Sequence, residues 1–506
     1  MSVTAKAFDV IVVGYGFAGG IAAIHAHDAG ARVLLMDKNP DPGGISVCSA
    51  GGLRISDNAD KALAYLIETN AGTTPEPVLR VLAQGMAGLA DAVAPLCEAV
   101  GAKLSLKASP ANYPLPGYEC FGFAYVDDLP DFDAAKTYPA VRGSPAGARL
   151  FEVVRRNVAL RPGITVRLDA SAERLLIKKG QVKGVIINGK RCEADAVVLA
   201  CGGFEGDAAL QAQFWPLKNV LSAAVRFNTG DGLRMGQMAG AGLWHMWHYH
   251  GSYGFRHPDA AYPFGIRVKR LPDWNPAEGL REDVSMSWIL VDQDGRRFMN
   301  EYEPYMQDTG HRPFELYDPA RQRLPRVPAL MLLDAQGRAL YPLAAPTWHD
   351  REVAENYRGR SLREFDTAIL FEADSIEAIA SHFGIDPVAL RLTVAEWNAS
   401  CGKREDKQQG RPPGSMMPLL EPPFSAAAIW PIVSNTQGGL VHDESQRVLD
   451  AFGVAIPGLF VTGELGSVFG HLYMSGGNIA ECFVGGKIAG EAAAGKKASR
   501  SMDNAA

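Results

Sequence analysis

The sequence has little that could hold a metal, a haem or a disulfide. Its seven cysteines (Cys48, Cys97, Cys120, Cys192, Cys201, Cys401 and Cys482) are scattered over 506 residues and form no CxxC pair. This excludes a CxxCH haem attachment and a cysteine-cluster iron–sulfur site, and it reads as reduced thiols in a cytoplasmic protein. No apolar run is long enough to span a bilayer. The first strand begins at about Phe8, which leaves no room for a signal peptide. Dense basic blocks are missing and the formal net charge is -6, so nucleic acid and anionic membranes are poor partners. His245, His248 and His250 lie close together, but no acid or Cys accompanies them at a ligand spacing. They read as pocket lining or packing, and no metal site is expected.

What is present is a large core, with 47% hydrophobic and 21% charged residues, enough for about two domains. The chain opens on a strand (8–13), the loop Gly14-Tyr15-Gly16-Phe17-Ala18-Gly19, a helix (20–29) and a second strand (31–36) ending on Asp37. Gly14 allows the tight turn, Gly16 lets backbone approach a pyrophosphate, and Gly19 lets the helix pack against the strand. The helix N-terminus offers N–H groups to phosphate, and Asp37 can accept from a ribose diol. This spacing predicts a dinucleotide-binding unit. The loop that follows, from Gly43 and Gly44 through Ser46, Cys48 and Ala50 to Gly51 and Gly52, can run beside a planar ring. A flavoprotein needs such a loop; a nicotinamide-only dehydrogenase does not.

Helices are expected at 60–70, 75–100 and 147–160, and an irregular aromatic stretch at 101–139. Strands are expected at 164–168, 172–177, 182–187 and 194–200, the last running into Gly202 and Gly203. Thr229-Gly230-Asp231-Gly232 opens a helix. A second domain is expected between about 252 and 430, with a strand at 288–291, Gly295-Arg296-Arg297-Phe298-Met299-Asn300-Glu301, Tyr302, Tyr305, and helices at 374–383 and 387–401. Near the end, 458–464 leads to Gly470–Glu481 and a helix whose N-terminus, at Gly477 or Asn478, points at a ligand. In a flavoenzyme that ligand is the N1–C2=O edge, whose charge on reduction a helix dipole stabilises. The tail after Lys496 is expected to be disordered.

GYGFAG, GGISVCSAGG, ACGGF, TGDGL, GRRFMNE and GLFVTGE…SGGNIAECFVGGKIAGE occur in this order and nearly span the chain. Together they resemble the succinate dehydrogenase/fumarate reductase flavoprotein superfamily. The resemblance implies an α/β fold: a bipartite Rossmann-type FAD-binding domain (1–250 and 433–506) with an inserted α+β capping, catalytic domain (251–432). It implies FAD held non-covalently, since the GGISVCSAGG stretch lacks the histidine that tethers flavin in membrane-bound members. The implied cofactor shell is Gly14, Gly16, Phe17, Ala18, Gly19, Asp37, Lys38, Gly43, Gly44, Ser46, Ala50, Gly51, Gly52, Ala172, Ala200, Gly202, Gly203, Asp231, Gly463, Glu464, Gly477, Asn478 and Ile479.

The departures bear on the substrate. Where fumarate reductases of this family carry His-Thr-Met-Gly-Gly and Asn-Arg-Leu-Gly-Gly, this chain has Asn435-Thr436-Gln437-Gly438-Gly439 and Tyr473-Met474-Ser475-Gly476-Gly477. Met474 cannot neutralise a carboxylate as the arginine does, so a dicarboxylate is disfavoured. Tyr473 and Ser475 are instead similar to the 3-ketosteroid Δ4-dehydrogenase branch, with Tyr305 or Tyr302 as the second tyrosine. Arg338 sits where the family's proton-donating arginine would fall. The expected chemistry is α,β-dehydrogenation of an apolar or cyclic ketone, with Tyr473 as base, Tyr305 and Ser475 as its relay, and Arg338 as anion stabiliser or alternative acid. A tyrosine base needs its pKa brought well below about 10. Two other readings stand: a reductase of an activated C=C, and a non-catalytic FAD-binding protein. Electrons are expected to leave through an external acceptor.

Overall fold

The structure is a computed structural model describing residues 7–218 and 220–495. The tail after Lys496 lies outside the described residues. A six-stranded sheet organises one half. Its order is Arg447–Leu449, Ala455–Val461, Ala196–Leu199, Val10–Val13, Val33–Met36 and Ile164–Arg167. All neighbours are parallel except the first pair. The first strand, Val10-Ile11-Val12-Val13, is buried on both faces, as a central parallel strand must be. The chain moves to opposite sides of it for Val33–Met36 and Ala196–Leu199. Its C-terminal end is therefore a topological switch point, where open α/β sheets bind ligands. The helix Phe17–Asp28 starts there, on Gly16, with no side-chain cap. It is rich in Gly and Ala, and the final helix, Gly477–Ala493, packs closely along it through Gly486 and Gly490.

Residues between those sheet strands build an eight-stranded sheet with the path Ile289–Val291, Ala329–Leu333, Phe424–Thr436, Tyr249–Arg256, Gly265–Val268 and Ala344–Ala345. The 13-residue strand Phe424–Thr436 pairs with Ala329–Leu333 at one end and with Tyr249 at the other. His250 sits opposite Asn435, and the register shifts between His250 and Gly251. Such a bulge re-aims the side chains beside it.

Two expectations need correction. The stretch 75–100 is two helices, Glu76–Ala87 and Leu89–Glu98, separated at Gly88. The stretch 101–139 is not irregular. Phe121–Asp128 pairs antiparallel with Leu53–Ser56 on one side and with Lys103–Ala108 on the other. Pro and aromatic residues obscured a strand pattern that only the partner strand completes. The remaining predicted elements occur with bounds shifted by a few residues.

Candidate active site

Above the switch point lies a cavity of about 720 Å³, within the ~300–1,000 Å³ range of small-molecule and cofactor sites. Gly14, Gly16, Phe17, Ala18, Asp37, Lys38, Gly44, Ser46, Ala50, Gly52, Ala172, Ala200, Gly202, Asp231, Glu464, Asn478 and Ile479 line it, as do Tyr305, Tyr473 and Ser475. Gly19, Gly43, Gly51, Gly203, Gly463 and Gly477 are not among the lining residues. Gly19 does what its position implied: a Cβ there would overlap the Gly14 carbonyl oxygen, so its bareness sets the helix on the strand.

The residues present fit FAD at this cradle. Ser46 Oγ takes the N–H of Phe17 at 3.1 Å and ties the second Gly-rich loop to the helix N-terminus. Asp37 accepts one backbone N–H on each oxygen, from Tyr15 and Asn39, both at 2.8 Å. Lone pairs remain for a diol. Lys38 Nζ donates to Asp231 at 2.6 Å and to Thr229 at 2.7 Å, joining the first unit to the helix at 231.

At the other end four segments meet. Tyr473 and Tyr305 are buried, 4% and 2% exposed, with ring centroids 6.4 Å apart. Tyr473 Oη accepts the N–H of Asn478, at the start of the last helix, at 3.3 Å. Tyr305 precedes the one-turn helix Met306–Thr309. Asp308 on that helix fixes the two tyrosine segments together: its Oδ2 accepts Tyr473 N at 2.9 Å and the Tyr113 hydroxyl at 3.0 Å, and its Oδ1 lies 3.2 Å from His248 Nε2. His248 beside it holds Asp308 down to about 2 despite burial. His250 reaches the cavity, with Nε2 at 3.4 Å from Tyr305 Oη and its ring 4.4 Å from that of Tyr473.

The geometry bears on four of the expected roles. Tyr302 faces away: it lies outside the cavity lining, and its hydroxyl donates to the Pro272 carbonyl. Tyr305 is the tyrosine that faces the site. Arg338 is also outside the lining. Its guanidinium pairs with Asp366 at 2.8 Å, a carboxylate that receives the N–H groups of Leu343 and Ala344, which places it away from the cavity that a proton donor would have to face. Tyr473 is a poor standing base, because burial pushes its phenol up, outweighing the Asn478 hydrogen bond and nearby Arg54. Ser475 lines the cavity, but no hydrogen bond joins its hydroxyl to either tyrosine among the described residues.

Sequence reasoning missed the cations. Arg54 is 1% exposed, stacks 3.9 Å over Phe123, and donates to the Ser475 and Ser109 carbonyls at 2.7 and 2.9 Å. Arg267 donates to Ser434 Oγ at 3.0 Å and Thr347 Oγ1 at 3.2 Å, and has no carboxylate partner among the described residues. Arg270 pairs with Asp273 at 2.6 Å and, like Arg267 and Arg281, faces the cavity. A positively charged residue on an otherwise alternating strand, as in Gly265–Val268, was the available signal. The three histidines diverge. His245 Nε2 meets Thr74 Oγ1, His248 meets Asp308 and the Phe469 carbonyl, and His250 meets Asn435 and Tyr305. No helix among the described residues is long and apolar enough to cross a membrane.

Comparison with known proteins places the chain in a family. The family described as "FAD binding domain" matches residues 9–479. The fumarate reductase (cytochrome) of Shewanella frigidimarina is 28% identical over 96% of this chain and 77% of its own length. The 3-oxosteroid 1-dehydrogenase of Mycobacterium tuberculosis is 26% identical, covering 96% and 98%. Among solved structures, 3-ketosteroid delta1-dehydrogenase from Sterolibacterium denitrificans, in complex with 1,4-androstadiene-3,17-dione, superposes with a TM-score of 0.78 at 22% identity, over 97% of this chain and 100% of that one. This last likeness speaks for the fold alone.

Proposed function

Because the chain belongs to the FAD binding domain family, whose relatives here are FAD-dependent oxidoreductases acting on CH–CH groups, we propose that it desaturates an apolar or cyclic ketone, such as a 3-ketosteroid. The FAD-binding domain comprises 1–250 and 433–506, the capping domain 251–432, and the flavin is held non-covalently. The single observation that carries this reading is the pair of buried phenols, Tyr305 and Tyr473, 6.4 Å apart on one cavity with the Gly-rich cradle.

Bound FAD supplies a two-electron hydride acceptor. The protein's part is to hold the carbonyl, stabilise the enolate and take a proton. Tyr473 Oη, already accepting from Asn478 N–H, keeps its own hydrogen for the substrate oxygen. Burial keeps that phenol protonated, as a donor must be. Tyr305, across the cavity, receives the proton from the carbon beside the carbonyl while giving up its own hydroxyl proton, since burial keeps this phenol protonated too. Electrons then leave through an external acceptor.

A second reading, reduction of an enoate, is favoured by one observation: Arg267 lines the same cavity with hydroxyl partners only, among the described residues, and could pair with a carboxylate. Anaerobic mixing of the flavin-loaded protein with cyclic ketones separates the two. Bleaching by a saturated ketone supports desaturation. If oxidised flavin ignores every ketone while dithionite-reduced protein is reoxidised by enoates, and Arg267→Gln abolishes that reoxidation, the reductase reading replaces it. A flavin that neither ketone, enoate nor dithionite can cycle would leave the non-catalytic reading.

A further inference from the structure

The aromatic run at 244–250 holds three imidazoles, of which His248 braces Asp308. One of them has a hydrogen-bond pattern that fixes its tautomer. The Asn435 side-chain amide donates both hydrogens, to the Thr436 carbonyl at 3.1 Å and to Asn478 Oδ1 at 3.2 Å. Its Oδ1 is left as the acceptor that faces His250 Nδ1 at 3.2 Å. His250 therefore carries its hydrogen on Nδ1, and Nε2 presents a lone pair. That lone pair faces Tyr305 Oη at 3.4 Å, so the Tyr305 hydroxyl donates to it.

We propose that His250 is the proton acceptor behind Tyr305: Asn435, His250 and Tyr305 form a relay that lets a buried phenol work as a base. The proposal rests on the ketone-desaturation reading. As the C–H beside the carbonyl breaks, its proton goes to Tyr305 Oη and its electron pair to the carbonyl as an enolate. The Tyr305 O–H breaks in the same event and its proton goes to His250 Nε2. Bound FAD would supply the acceptor for the hydride that leaves the next carbon, and the proton on His250 later returns to solvent. No standing phenolate is needed, which matters because burial pushes the Tyr305 phenol well up. The imidazole starts neutral, since burial holds it down at about 4. The groups facing it are Asp308, which favours its charged form, Arg267 and Arg270, which oppose it, the two phenols Tyr305 and Tyr473, and the Asn435 carbonyl oxygen, which accepts Nδ1–H in either state. His250 acts through Tyr305 and is in that sense a positioning residue.

The test uses flavin-loaded protein. Histidine 15N chemical shifts should report an Nδ1–H tautomer for His250, with the Nε2 signal moving in Tyr305→Phe. An Nε2–H tautomer overturns the relay whatever the substrate proves to be. In stopped flow, His250→Phe and His250→Gln should both slow flavin bleaching by ketone ~100-fold or more, with ketone affinity held within a few-fold. Their residual rates should climb about tenfold per pH unit, because Tyr305 must then lose its proton to solvent, while the wild type stays flat from pH 6 to 9. Rates within threefold of wild type, or a loss with a flat pH profile, overturn it. Failure of every ketone to bleach wild-type flavin defeats the desaturation reading, and the tautomer then still decides the pairing.

Discussion

The two ends of the cavity are built by opposite means. At the cradle end, side chains are removed: Gly14, Gly16 and Gly19 let strand, loop and helix touch through backbone. At the reacting end, polar side chains are added and locked. His250, Tyr305, Asn435 and Tyr473 come from four separate segments. The cradle is specified by spacing within about thirty residues. The reacting end is specified by hydrogen bonds between residues 55 and 185 positions apart. At Gly14 and Gly19 the first kind of site admits no added atom, whereas the second depends on the polar atoms its side chains supply.

The sharpest way to break the cradle is Gly19→Val. Its Cβ would fall on the Gly14 carbonyl oxygen, and neither backbone can retreat without parting the first strand from its helix. Overpacking of this kind costs ~3 kcal/mol or more. The expected outcome is loss of soluble, flavin-loaded protein, read from the flavin-to-protein absorbance ratio and thermal unfolding. A soluble variant with full flavin would show that the helix is not seated as described.

The reacting end should respond differently. Tyr305→Phe removes one oxygen and adds nothing. Flavin content and melting temperature should hold, while ketone-dependent bleaching falls ~10²–10⁴-fold. Tyr302→Phe is the companion. It loses only a hydroxyl that donates to the Pro272 carbonyl, outside the lining. It should cost ~1 kcal/mol of stability and leave turnover within threefold. If Tyr302→Phe proved the inactive one, the positions of the two tyrosines would be exchanged.

This contrast also explains what could be read from the chain. Strand, Gly loop, helix and Asp37 follow one another, so local spacing fixes the cradle. Tyr305 and Tyr302 share a sequence neighbourhood. Nothing local separates them; their separation depends on the Asp308 turn that docks against Tyr473 and Tyr113. Arg338 was legible as an arginine near a strand end but not as a partner of Asp366, 28 residues on. His250 was visible as part of an aromatic run, yet its role depends on Asn435 lying opposite it across a bulged strand pair.

The eight-stranded sheet offers an intermediate case. The GRRFMNE motif is local, but its charges act at a distance: Arg297 pairs with Glu301 at 2.6 Å and Asp406 at 3.1 Å, and Arg411 lies 3.5 Å from Glu301. All four side chains are at most 3% exposed. Glu301 Oε1 also receives Leu290 N–H at 3.0 Å. Glu301→Ala leaves Arg297 with Asp406 alone and Arg411 with carbonyl and hydroxyl partners only, among the described residues, and should destabilise by ~3–5 kcal/mol, read by urea unfolding. Flavin binding in the surviving folded fraction should be unchanged, because none of these residues lines the cavity.

The last contrast is read by pH. Glu481, on the last helix, accepts Val468 N–H at 2.7 Å and Asn478 Nδ2 at 3.1 Å, and burial raises its carboxyl from 4.5 to about 7. Below about 4.5 the folded and unfolded chains both hold the proton. Between about 4.5 and 7 the folded chain keeps a proton that the unfolded chain releases, so stability falls as pH rises through that window. Glu481→Gln removes this titration and should flatten the decline by up to ~1.4 kcal/mol per pH unit, measured by urea unfolding at pH 5, 6 and 7. Glu464, on the cavity wall, is raised to about 7 as well, also by burial, so the wild-type slope should not vanish in the variant. A slope unchanged by Glu481→Gln would mean that the start of the last helix is wetter than its packing implies. Asn478, whose N–H holds Tyr473, would then be less firmly placed than the reacting end requires.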